Sequence, residues 1–99
     1  MDISDWRARI DTVDRILVDL INRRMEYALE IGKIKGDQGQ PVRDAERERR
    51  VLATLKQHNN GPASDGALDD IFQRLMEEAR HLEGPSTDGE GTPPCTPPN

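Results

Sequence analysis

The residues best equipped for chemistry here are cations set among apolar side chains. Reading from Trp6 in steps of four and three gives Trp6, Ile10, Val13, Leu17, Leu20, Arg24, Tyr27, Ile31 and Ile34, a helical stripe in which only Arg24 is not apolar. An unpaired guanidinium on such a stripe costs several kcal/mol, so Arg24 must meet an anion or escape to water. In the plainer reading it snorkels or pairs with an acidic neighbour. Lys35 sharpens the question, because on one helix it lies about 20° around and ~16 Å along from Arg24, so the two can line one end-to-end groove. Arg7 is different. It lies about 25 Å along a straight helix from Arg24 and roughly a quarter-turn around it, too far for both to grip one small molecule within one chain. If Arg7 serves the same site, it arrives from a partner.

A second charged stretch, Pro41-Val42-Arg43-Asp44-Ala45-Glu46-Arg47-Glu48-Arg49, is dense in both signs. Taken alone it reads as a solvated helix start, with Asp44 and Glu48 paired to neighbouring arginines at small net gain. Asp44, Arg47 and Glu48 share a helix face, however, and that face leads directly into Val51 and Leu55.

The elements that must position these groups are helical. No proline or glycine interrupts the chain between Ser4 and Gly32, and Asp2 or Ser4 can cap the first N–H groups. A first helix of about 30 residues and ~45 Å follows, weakening near Gly32 and ending around Lys35-Gly36. Gly36-Asp37-Gln38-Gly39-Gln40-Pro41 has loop chemistry, with two glycines free to take positive φ. Asp44 caps a second helix to about His58, with a thin apolar face of Val51, Leu52 and Leu55, and Asn59-Asn60-Gly61-Pro62 stops it. Ser64 or Asp65 caps a third, whose core face is Leu68, Ile71, Phe72, Leu75, Met76, Ala79 and Leu82, with Gly84-Pro85 at its end. The fold class expected is all-α, three helices per chain, with residues 1–84 folded. Residues 85–99 hold five of the seven prolines and no large apolar side chain, so a disordered tail is expected there. A first helix this long cannot bury its stripe against two shorter ones, and part of it is expected to meet a second copy of the chain.

Composition narrows the partners. A net charge of −5 argues against nucleic acid as a main partner and gives no support for an anionic membrane surface. No apolar run of membrane-spanning length exists and the first five residues lack the regions of a signal peptide, so a cytoplasmic protein is expected. Cys95 is the one cysteine and forms no internal disulfide. His58 and His81 fall on different helices with nothing to complete a metal site. Trp6 and Tyr27 read as core or dimer contacts, Met25 and Met76 as fillers.

Taken together, Arg7, Arg24, Gly32-Lys33-Ile34-Lys35, Pro41-Val42-Arg43-Asp44 and Arg47-Glu48-Arg49, at these spacings, resemble the all-helical chorismate mutases. The resemblance runs from about Trp6 to Glu83. It implies an intertwined helical homodimer with two sites, each borrowing an arginine from the partner's long helix, and no cofactor. It also implies an isomerase that converts chorismate to prephenate in phenylalanine and tyrosine biosynthesis, and it leaves room for association with another enzyme of the shikimate pathway. That reaction is an intramolecular [3,3] rearrangement with no acid, base or nucleophile step. A protein can help only by holding the enolpyruvyl arm over the ring and stabilising the charge that separates as the C–O bond breaks. By resemblance, Arg24 and the partner's Arg7 hold the two carboxylates, with Arg47 supporting them. Lys35 donates to the ether oxygen. Glu48, with the backbone near Asp44, accepts from the ring hydroxyl.

Two positions depart from the family's commoner pattern. Ala79 stands where a small hydroxyl residue often assists a carboxylate, so one auxiliary contact is missing. Glu83 stands where bacterial members usually carry a glutamine that donates to the ether oxygen, while some fungal members carry glutamate. A carboxyl group donates only in its acid form, so activity is expected to rise as the pH falls from about 8 toward 5. Two other readings stay open at this point. An isochorismate pyruvate lyase shares the cation pair on the same scaffold, and a non-catalytic helical dimer or regulatory module would explain Ala79 and Glu83. The match through Lys33-Ile34-Lys35 and Pro41-Val42-Arg43-Asp44 favours the mutase.

Overall fold

A computed structural model describes residues 1–39, 41 and 43–84 of the 99-residue chain, and the expected tail lies outside the described residues. Three helices follow in order: α1 (Ile3–Gln38), α2 (Ala45–His58) and α3 (Asp65–Glu83). Each starts on a side chain that satisfies an orphan N–H. At α1 the cap is Asp2 and not Ser4, within a reciprocal capping box: Asp5 N–H donates to the Asp2 carboxylate at 3.1 Å and Asp2 N–H to the Asp5 carboxylate at 3.0 Å. The hydrogen bond from the Asp5 backbone holds the Asp2 carboxyl below its ordinary value. Asp44 accepts from Arg47 N–H at 2.9 Å to start α2, and Ser64 from Ala67 N–H at 3.1 Å to start α3. Between α2 and α3, the Asn59 side chain donates to Ala63 O and the Asp65 carboxylate and accepts from Gly61 N–H, which fixes the turn.

α1 runs past the expected stop at Lys35-Gly36. It is 36 residues long and ends at Gly39, whose φ of 69° is the left-handed geometry that closes a helix. Nor is it interrupted at Gly32, and the reason is packing. A Cβ built on Gly32 would fall 2.5 Å from Glu83 O and 2.6 Å from Glu83 Cα, so the glycine is where the backbone of α3 passes against α1. A glycine inside a helix costs about 1 kcal/mol relative to alanine, which the close approach of the two helices offsets.

The helices do not form a symmetric bundle. α3 packs on both α1 and α2, while α1 and α2 are not packed on each other. The buried core consists of Met25 and Ala28 from α1 and Met76 and Ala79 from α3, with Leu75 and Leu82 packed against it. α2 contributes no buried residue, and only Glu48, Val51, Leu52 and Leu55 are half-covered. The molecule measures 54 × 35 × 19 Å, its long dimension equal to the length of a straight 36-residue helix at ~1.5 Å per residue. The N-terminal half of α1 therefore projects. Trp6, Ile10, Val13, Leu17 and Leu20 remain 52, 56, 54, 48 and 58% exposed, so none of the described residues covers the apolar stripe. Ile71, expected on the core face of α3, is exposed as well.

Candidate active site

The C-terminal half of α1, the first turns of α2 and the last two turns of α3 enclose one cavity of about 340 Å³. α1 contributes Arg24, Tyr27, Ala28, Ile31 and Lys35. α2 contributes Asp44, Arg47, Glu48 and Val51, and α3 Met76, Ala79, Arg80 and Glu83. The spacing explains the first set. On one unbroken helix, positions 24, 28, 31 and 35 advance by four, three and four and stay on one face. Capping explains the second, because the Asp44 carboxylate holds the Arg47 N–H and so starts α2 with Arg47 and Glu48 in its first turn.

Four cations and three carboxylates line this space, so its walls carry a net positive charge inside an acidic chain. They are not all alike. Lys35 Nζ donates to Glu83 Oε1 at 3.1 Å, with the two side chains only 20 and 13% exposed. Glu48 takes a guanidinium on each oxygen, Arg80 on Oε2 at 2.7 Å and Arg43 on Oε1 at 3.4 Å. Arg24 and Arg47, by contrast, have no acidic partner within ion-pair distance among the described residues, although neighbouring Arg23 pairs with Glu26, and Arg49 and Arg50 with Glu46. Of the two plainer readings of Arg24, a pairing with an acidic neighbour is not seen among the described residues, and snorkelling to water stays open. Arg24 is half-buried and lines the cavity wall, where it can meet an anion.

Of the expected site residues, Arg24, Lys35, Asp44, Arg47, Glu48, Ala79 and Glu83 come together here. Arg7 does not. It is exposed on the projecting half of α1 and takes no part in the cavity wall. Tyr27, read as a core or dimer contact, lines the cavity and is 59% exposed. Arg80 went unnoticed in the sequence because α3 was read for its apolar face. The signal was the one that singled out Arg24, a cation flanked by the buried positions Met76 and Ala79. Ala79 is buried with no hydroxyl to offer, as its identity requires. Among the described residues, no group of His, Cys, Asp and Glu is arranged to hold a metal, and no helix is long and apolar enough to cross a membrane.

Comparison with known proteins points the same way. Residues 6–84 match the family profile described as chorismate mutase type II. A chorismate mutase of Methanocaldococcus jannaschii is 31% identical over 85 residues, which cover 82% of this chain and 83% of that protein. A bifunctional chorismate mutase/prephenate dehydratase of Neisseria gonorrhoeae is 36% identical over 81 residues, 82% of this chain but 22% of the relative. A T-protein of Enterobacter agglomerans is 32% identical over 80 residues, 79% of this chain and 21% of the relative. The chain thus spans about a fifth of the length of these two longer relatives. Among solved structures, a chorismate mutase (form II) of Thermus thermophilus superposes with a TM-score of 0.80 at 31% identity, covering 82% of this chain and 92% of that one.

Proposed function

The chain belongs to the type II chorismate mutase family, and we propose that it catalyses the rearrangement of chorismate to prephenate as a homodimer. The observation that carries this reading is that Arg24, half-buried with no acidic partner among the described residues, lies with Lys35 on one face of one cavity. At about 340 Å³ the space is at the lower end of the range for small-molecule sites. A substrate with two carboxylates and a breaking ether bond asks for anion grips and one donor at the oxygen, and no nucleophile.

In this mechanism Arg24 grips one carboxylate with a bidentate fork, and the partner's Arg7 the other, with Arg47 beside them. Binding them holds the enolpyruvyl arm folded over the ring. Lys35 donates to the ether oxygen as negative charge builds there. An ammonium has three N–H donors, so the one given to Glu83 leaves others for the substrate. Glu48, near the start of α2, accepts from the ring hydroxyl and sets which way the ring faces. The same reading places Glu83 at the ether oxygen, to which a carboxyl group donates only when it carries a proton.

The dimer in this reading rests on the exposed stripe from Trp6 to Leu20, which a second copy of α1 would cover while delivering Arg7. We take residues 1–84 as the working unit, with residues 85–99 playing no part in the site, and we assign the reaction to the cytoplasm. The test is loss of the ultraviolet absorbance of chorismate, followed by conversion of the product to phenylpyruvate in acid. Absorbance loss with matching phenylpyruvate supports the mutase, and unchanged chorismate excludes it.

A further inference from the structure

Arg80 is a cation on the cavity wall for which the proposed mechanism has no use. Its side chain is 28% exposed, it reaches from α3 to α2, and its Nη1 donates to Glu48 Oε2 at 2.7 Å. The other oxygen of Glu48 faces Arg43 at 3.4 Å, but that guanidinium is 63% exposed and therefore weakly held. A carboxylate on a flexible side chain can turn through several rotamers, and a substrate hydroxyl needs it in one. The short, charge-assisted bond to a planar and half-buried guanidinium fixes that orientation, and it occupies one oxygen while leaving lone pairs free on both.

We infer that Arg80 is a positioning residue that holds the Glu48 carboxylate toward the substrate's ring hydroxyl and so acts on the reaction only through Glu48. The inference rests on the mutase reading and deepens it. Arg80 lies one position after Ala79, in the last two turns of α3, so the same helix that lacks an auxiliary hydroxyl supplies the clamp. A merely structural strap between α2 and α3 is the competing account, because α2 has no buried residue and is held on α3 alone.

The experiment is a double-mutant cycle on chorismate turnover with Arg80→Met and Glu48→Gln, singly and together, with the melting temperature of each protein recorded. Methionine keeps an unbranched stem and removes the fork. We expect Arg80→Met to raise KM about tenfold with kcat changing less, and the double variant to be no worse than Glu48→Gln alone. Arg80→Lys, which restores a cation but only one point of contact, should recover part of the loss. Losses that multiply in the double variant would mean that Arg80 touches the substrate independently. A lower melting temperature with unchanged KM and kcat would mean a strap. Either result overturns the inference. If Arg80→Met does not fold, the same cycle with Arg80→Lys decides. A wild-type protein that leaves chorismate untouched would instead sink the mutase reading itself, whereas an active wild type indifferent to Arg80 sinks only the clamp.

Discussion

The two halves of α1 face different problems. From Ala28 onward the helix lies against α3 through small residues, Ala28 in the core beside Ala79 and Gly32 against the backbone of Glu83. From Ile3 to Ile21 it carries nine large apolar side chains that none of the described residues covers. The C-terminal half buries little area but sets distances, because small side chains let two backbones approach and carry Lys35 and Glu83 to within 3.1 Å of each other. The N-terminal half has ample apolar area and no partner among the described residues. One continuous helix thus lines a cavity at one end and leaves an exposed apolar stripe at the other. The charged residue expected in the site and missing from it, Arg7, sits on the uncovered end.

The built end can be broken most severely at its cations. Lys35→Ala is expected to lower kcat by roughly 10²-fold or more with KM changing less, since a preorganised donor at developing charge acts in the transition state. Arg24→Ala should raise KM as well, because its carboxylate grip is present before reaction. Steady-state kinetics on chorismate separate the two, and an unchanged kcat in Lys35→Ala would remove that role.

Gly32→Ala comes next. The added methyl meets backbone and not a side chain that can turn away, so α3 must shift near Glu83. Overpacking of this kind costs about 1–3 kcal/mol, and we expect a lower melting temperature together with a fall of about tenfold in kcat/KM. Equal activity at a lower melting temperature would show that the Lys35–Glu83 contact tolerates the shift.

The smallest effect is expected at Glu83→Gln, and it has two signs. Glutamine is a permanent donor and frees Lys35 from a carboxylate, so kcat/KM at neutral pH should rise several-fold. Stability should fall, because Lys35 loses a half-buried counter-charge. A mutant whose kcat/KM equals that of wild type would place Glu83 away from the ether oxygen.

How much of this was legible before folding depends on the range of the interaction. The caps at Asp44 and Ser64 and the alignment of Arg24 with Lys35 are local, decided by spacing on one helix, and they stand. Gly32 was misread as a weak point because glycine is a helix breaker only when nothing uses its missing side chain. Its use lies at Glu83, on another helix, where no local pattern could show it. Arg80 was missed for a similar reason. Its partner, Glu48, lies on α2, and neither residue stands out until the two helices meet.

The central claim is that a complete site takes cations from two copies of the chain. The most direct measurement mixes Arg7→Ala and Arg24→Ala proteins, each inactive alone, under conditions that exchange subunits, and follows chorismate turnover. In a heterodimer one of the two sites receives both arginines intact. The account predicts that activity returns as heterodimers form, toward a quarter of the wild-type value at equal mixing, since about half of the subunit pairs are mixed and each has one whole site. No recovery despite exchange proven by mass would contradict it and place Arg7 outside the site.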